Sequence, residues 1–188
     1  MALADRILQK WRMSKAIKHI PDKSRLLDIG CFEGELFTYA GDRLSGGLGI
    51  DPLLSENTEK ELSENVKLIK GFFPSDIPVE TEKFDVITML AVFEHISMEK
   101  VPEFLDALYN YLNQHGLVVL TIPSPFVDKI LNILLKLHLI DATTLEEHHG
   151  LQIDTIPVFF RKYSFEMLVH TKFQLGLNNL FLFKKNEA

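Results

Sequence analysis

From Pro21 onward, short apolar runs alternate with stretches whose apolar residues recur at helical spacing. The runs at 25–29, 47–50, 66–70, 84–90 and 116–122 predict strands, and the stretches at 34–43, 54–64 and 99–113 predict helices. Strands that are apolar at consecutive positions are buried on both faces, as in a parallel sheet sheathed by crossover helices. The pattern therefore predicts the α/β class, with helices on both faces of the sheet. Near the end, apolar runs at 173–177 and 180–184 flank Asn178-Asn179, a pair that tolerates the positive φ of a tight turn, so the last two strands are expected to form an antiparallel hairpin.

Two segments stand outside the alternation. Residues 1–20 carry Leu3, Ile7, Leu8, Trp11 and Ile17 at helical spacing, which predicts an N-terminal helix lying across the domain with Trp11 packed against it. Trp11 and Arg12 bordering a ligand cleft is the alternative. The second segment, 124–160, is too long for a simple connection, and a helix is expected to begin near Ser164 after it. Its residues 126–140 read as a strongly apolar helix, followed by Glu146-Glu147-His148-His149. That helix is too short for a membrane span and carries Asp128, Lys129 and Lys136. Because ligands in open α/β sheets bind beyond the carboxyl ends of the strands, an insertion at this place is expected to form a lid over a substrate.

Composition narrows the classes. A chain of 188 residues, 46% hydrophobic and 24% charged, fits one domain spanning 1–188 with a sizeable core. The formal net charge of −6 argues against a nucleic-acid partner, whose phosphates call for a basic face. Cys31 is the one cysteine, which excludes an internal disulfide and suits a reducing cytoplasm. The N-terminus lacks the apolar core of a signal peptide, and Asp5 with few serines argues against a transit peptide. No oligomeric state is legible, and a monomer is the simplest expectation.

The most specific chemistry lies at Leu26-Leu27-Asp28-Ile29-Gly30-Cys31-Phe32-Glu33-Gly34-Glu35-Leu36, where an apolar strand stops at an acid and a glycine turn before a helix begins. Such a turn lets backbone approach a nucleotide-like ligand, and the new helix offers unpaired N–H groups to an anionic part of it. A dinucleotide fingerprint needs glycine at positions 32 and 35, where Phe32 and Glu35 stand, so a nicotinamide-dependent reductase is disfavoured. Asp51 ends the second strand about 20 residues further on, the offset at which a carboxylate meets a ribose diol; capping a following helix is its other reading. Glu94 and His95 follow the strand at 84–90 and read either as local capping or as a site for a general base. His148 and His149 are further base candidates. No third ligand at recognisable spacing accompanies them, so no metal is expected.

Four motifs in order, Asp28-x-Gly30-x-x-x-Gly34, Gly49-Ile50-Asp51, Phe84-Asp85-Val86-Ile87 leading into Val92-Phe93-Glu94-His95-Ile96, and Gly116 to Pro123, resemble the class I S-adenosylmethionine-dependent methyltransferases. The match is to the small branch with a Glu-His pair after the fourth strand. The resemblance implies a Rossmann-like sheet of seven strands with an antiparallel last strand. It implies that Asp28, Gly30, Cys31 and Gly34 surround the methionine part of S-adenosylmethionine, that Asp51 holds the ribose and that Pro52 lies beside the adenine. Leu90 and Ala91 would then bring backbone to the methyl end. Two departures stand out. Phe72 occupies the usual acidic position near the adenine amino group, leaving aromatic and backbone contact or Asp76 to serve there, and Phe32 replaces a middle glycine. The implied activity is methylation of a small molecule with a partly apolar body, at oxygen ahead of nitrogen or carbon, with His95, His148 and His149 as candidate bases. The competing expectation is a non-catalytic domain that binds the cofactor or acts as a scaffold.

Overall fold

A computed structural model describes residues 3–55, 61–78, 81–124 and 152–187. Helix α1 (Leu3–Ala16) leads into strand β1 (Ser24–Ile29), helix α2 (Glu35–Ala40), β2 (Leu44–Asp51), β3 (Glu61–Ser63) and β4 (Val66–Lys70). Then come β5 (Phe84–Leu90), α3 (Val101–Tyr111), β6 (Leu112–Pro123), α4 (Ile156–Lys162), β7 (Phe165–Phe173) and β8 (Asn178–Lys185). Together the strands form one sheet in the order β3-β4-β2-β1-β5-β6-β8-β7. β4, β2, β1, β5 and β6 pair in parallel, whereas β8 runs antiparallel to both β6 and β7. The expected number of seven strands is met, but the one expected at 173–177 lies at 165–173 as β7, and the short β3 adds an antiparallel edge beside β4.

Alternation along each strand builds two apolar layers. Leu27, Ile87, Val118, Phe181 and Phe183 face α3 and α4, where they meet Phe104, Leu108 and Phe160. Their sequence neighbours Leu26, Val86, Val119 and Leu182 face the other way, onto Met13, Ala16 and Phe37 of α1 and α2. Successive side chains of a strand point to opposite faces, so a run without polar breaks is what a sheet covered twice requires. The centre of the first layer is aromatic. Phe160 stacks on Phe183 with ring centroids 4.0 Å apart, meets Phe165 edge to face and lies tilted against Phe93.

Several local expectations give way to tertiary context. The helix expected at 54–64 is replaced at its end by β3, where Glu61–Ser63 pairs with β4, and residues 56–60 lie outside the description. The helix expected from Ser164 sits earlier, as α4. Ser164 adopts φ +61 and turns the chain into β7. The hairpin also exists, but its turn is Gln174–Gly176, with three successive positive φ values of 51, 57 and 85°. Asn178 and Asn179 are buried strand residues instead. The Asn179 amide donates to Ser124 Oγ at 2.9 Å, its carbonyl oxygen meets His170 Nε2, and Asn178 donates to the Gln174 side chain. Distant partners thus satisfy amides that a solvent-exposed turn would have left to water. In α1 the buried face is Met13 and Ala16, continued by Ile17 and Ile20, and Trp11 is 41% exposed rather than packed. The apolar stretch 126–140 and most of the expected lid lie outside the described residues.

Removing the aromatic keystone should cost the most. Phe160→Ala is expected to destabilise the protein by about 3–5 kcal/mol through the cavity it leaves, read as a lowered urea midpoint with an unchanged m-value.

Candidate active site

The carboxyl ends of β1, β2 and β5 converge on the glycine turn. After Ile29 the chain reverses through Gly30 at φ +76, Phe32 at φ +47 and Gly34 at φ +81 before α2 begins. The Gly30 N–H donates to Ile50 O at 2.8 Å, which ties the turn to β2. A side chain on Gly30 would collide with Val92, so packing as well as φ demands glycine there, whereas at Gly34 it would meet only the ends of Leu62 and Leu68 and φ is the main demand. Phe32 adopts left-handed backbone as the flanking glycines do, at a steric cost of roughly 1–2 kcal/mol. Its side chain is turned outward, into the groove between α1 and α2 beside Arg6, Lys10 and Tyr39.

Asp51 anchors the second half of the site. Its Oδ2 accepts the Phe32 N–H at 2.8 Å and its Oδ1 the Leu53 N–H at 2.7 Å, and the carboxylate is 7% exposed. An ionised carboxylate has about four acceptor positions, so two remain for a ligand diol. The Leu53 bond closes a local turn, and no helix directly follows it among the described residues for Asp51 to cap. Pro52 is exposed, and the Gly71 N–H donates to Asp51 O at 3.2 Å, bringing Phe72 to the same rim. Phe72 is 65% exposed there, and its N–H is capped by Asp76 Oδ2 at 2.7 Å. This side of the site is open to solvent.

The inner side is a small recess. A cavity of about 80 Å³ is lined by Asp28, Gly30, Cys31 and Leu90, with Gln9, Arg12 and Met13 from α1 and Glu35 from α2. Asp28 is buried, and Thr88 donates to its Oδ1 at 2.5 Å. Burial raises the Asp28 carboxyl to about 7; the Thr88 hydrogen bond works against this, and the fields of Asp51 and Glu35 add to it. Burial also pushes the Cys31 thiol up, with Asp28 and Asp51 adding to the effect, so Cys31 packs against Gly49 rather than serving as a thiolate. Ala91, at φ +63, follows Leu90 and donates its N–H to Thr121 O.

The candidate bases fall elsewhere. His95 is exposed and lines a groove of about 570 Å³ with Phe72, Phe73, Lys100 and Phe104, separate from the inner cavity, whereas the preceding Glu94 is buried. His148 and His149 lie outside the described residues. Among the described residues no cluster of three or more His, Cys, Asp or Glu is placed to hold a metal. Gln9 and Glu35 were not singled out from sequence. Gln9 was detectable only through its i, i+3 and i+4 relation to Arg12 and Met13, and Glu35 as the first helical residue after the turn. Of the pair left between packing and cleft, Arg12 borders the cavity and Trp11 does not.

Residues 3–171 match the sequence model of a methyltransferase domain family. The chain belongs to that family. No curated protein matches it in sequence. Its fold is that of the S-adenosylmethionine-dependent methyltransferases. It is similar to one such enzyme from Mesorhizobium loti at 14% identity, with 92% of this chain and 96% of that one covered and a TM-score of 0.70. It is also similar to magnesium protoporphyrin IX methyltransferase from Synechocystis PCC 6803 with bound S-adenosylhomocysteine, at 12% identity, 96% and 85% coverage and a TM-score of 0.69. A third similar structure is the N-methyltransferase NodS from Bradyrhizobium japonicum WM9 in complex with S-adenosylhomocysteine, at 15% identity, 98% and 87% coverage and a TM-score of 0.65.

The buried carboxyl in this methyltransferase gives a pH signature. Asp28 keeps its proton in the folded chain up to about pH 7, while in the unfolded chain it loses it near its ordinary value of 3.8. The folded state therefore binds more protons between these values, and stability falls as pH rises through them. Asp28→Asn retains an acceptor for Thr88 and does not titrate. In ligand-free protein its stability should gain on the wild type by up to about 1.4 kcal/mol per pH unit from pH 4 to 7 and hold level above, as measured by urea unfolding across pH.

Proposed function

We propose that this methyltransferase transfers the methyl group of S-adenosylmethionine to an oxygen of a small acceptor with a partly apolar body. The observation that carries the cofactor half is the arrangement of carboxylates around the glycine turn. Asp28 and Glu35 line the inner cavity, and Asp51 holds the glycine turn through the Phe32 N–H with acceptor positions to spare. A cationic ligand that also carries a diol answers both demands, and S-adenosylmethionine has an ammonium, a sulfonium and a ribose. Bound there, it supplies an activated methyl group with a good leaving group for in-line displacement.

The chain's own residues would divide the remaining work. Asp28 and Glu35 would face the cationic end, and Arg12 offers a guanidinium to a carboxylate in the same cavity. Asp51 would accept from the ribose hydroxyls, with Gly30, Cys31 and Gly34 shaping the turn and Leu90 and Ala91 closing it at the end of β5. Pro52 and Phe72, at the open rim, suit a flat ring. The acceptor half rests on the groove beside His95, whose walls include Phe72, Phe73, Ile96 and Phe104. Holding an acceptor in line provides much of the catalysis of such a transfer, and a base adds to it when the acceptor is a hydroxyl. His95 is assigned that base among the described residues, with His148 and His149 as the assignments outside them. The second reading is a domain that binds the cofactor without turnover. It is favoured by one observation, the separation of His95 from the inner cavity.

Calorimetry with S-adenosylmethionine tests the cofactor half. The wild type should bind, and Asp51→Ala should bind about 10- to 100-fold more weakly, the worth of hydrogen bonds to a charged group; no binding by the wild type, or undiminished binding by the variant, sinks the pocket assignment. Labelled methyl incorporation into metabolite extracts tests turnover. With an acceptor in hand, His95→Ala should lower kcat by about 10²–10⁴ while leaving cofactor affinity unchanged, and full turnover by that variant would remove His95 from the chemistry.

A further inference from the structure

Helix α1 has two apolar faces, and only one is used. Met13 and Ala16 are buried against the sheet, whereas Ile7 and Trp11, four residues apart on the opposite side, are 57% and 41% exposed, with Leu8 also exposed beside them. Cations surround this outer stripe. Arg6, Lys10 and Lys18 are exposed, Lys15 is half-buried, and none of the four forms a salt bridge among the described residues. The chain as a whole carries −6, so the helix concentrates positive charge on an acidic protein.

The turn between β7 and β8 adds an independent observation at the same place. Gln174 is buried and its side-chain amide donates to Leu8 O at 2.9 Å, which fixes the turn to α1. Ser124 reinforces it, with its N–H on Leu177 O and its hydroxyl on Gly176 O. The next residue after Gln174, Leu175, is held at φ +57 and is 97% exposed. A branched aliphatic side chain in left-handed backbone, pushed wholly into water, is unfavourable on two counts. Asn or Gly would relieve both.

We propose that the outer face of α1, with Leu175 at its flank, docks on the surface of an anionic lipid bilayer. A tryptophan and aliphatic side chains flanked by lysine and arginine are what the interfacial zone of a bilayer accommodates, and anionic headgroups attract the unpaired cations. No helix among the described residues is long and apolar enough to cross a membrane, so the contact is peripheral. A second copy of the chain is the poorer occupant. A two-fold interface would set these cations against themselves.

The chain carries a single tryptophan, so Trp11 reports directly on the contact. The full-length protein should co-sediment with phosphatidylcholine vesicles that contain phosphatidylserine and not with pure phosphatidylcholine vesicles, with Trp11 emission moving to the blue and the binding weakening in high salt. Lys18→Gln should weaken binding about fivefold, the worth of one cation near such a surface. Leu175→Asn should weaken it about tenfold or more through the lost apolar contact. Asn accepts φ +57 at lower cost than Leu, so this variant should melt no lower than the wild type. The proposal is overturned if the wild type ignores phosphatidylserine vesicles at low salt, if Trp11 emission is unmoved on binding, or if both variants bind like the wild type. Self-association or a captured protein that the same two variants abolish, without vesicle binding, overturns it equally. Neither variant touches the cofactor cavity, so S-adenosylmethionine affinity in solution stays as in the wild type.

Discussion

Everything at the active end of this molecule hangs on the lock between the glycine turn and the end of the second strand. Parallel pairing sets Asp28 of β1 level with Gly49 of β2 and with Thr88 of β5, so three strands deliver their last residues to one rim. The turn is then stapled across that rim, Gly30 to the backbone of Ile50 and Phe32 to the carboxylate of Asp51. Without those bonds the left-handed Phe32 would have no compensation for its strain. With them, an orphan N–H and a carboxylate that needs orienting satisfy each other.

That lock has an electrostatic consequence. Bringing Asp51 to the turn places its charge near Asp28, which burial already disfavours in its ionised form, and Glu35 at the start of α2 adds to the field. A site organised in this way is not neutral ground. Charging Asp28 carries a cost that a bound cation would offset, which is the pattern of functional sites that sacrifice some stability. Thr88, deep in the sheet, moderates the cost with one short hydrogen bond.

The other end of α1 follows a different logic. Its inner face lines the inner cavity through Gln9, Arg12 and Met13, while its outer face leaves Trp11 in water. The turn at Gln174 holds the helix to the sheet from outside, so cavity wall and surface patch share one rigid element. Whatever meets the outer face is therefore coupled mechanically to the wall of the site.

The α/β class, the succession of parallel strands along the chain from β1 to β6 and the place of the glycine turn were legible from residues alone, because runs such as 117–120 are apolar at consecutive positions and can be stable only between two covering layers. Asp51 was legible because its offset from Gly30 is imposed by the length of one strand–helix–strand unit. What could not be read was every feature decided by a distant partner. Asn178-Asn179 looks like a turn until Ser124, His170 and Gln174 claim its amides, and 54–64 looks helical until β4 offers an edge to Glu61–Ser63. Trp11 has the spacing of a core residue, yet the sheet has room only for the face that carries Met13 and Ala16. Local sequence determined which residues are apolar and how often they recur. Only the tertiary structure decided which of them are buried, because burial depends on what another part of the chain presents at the same place.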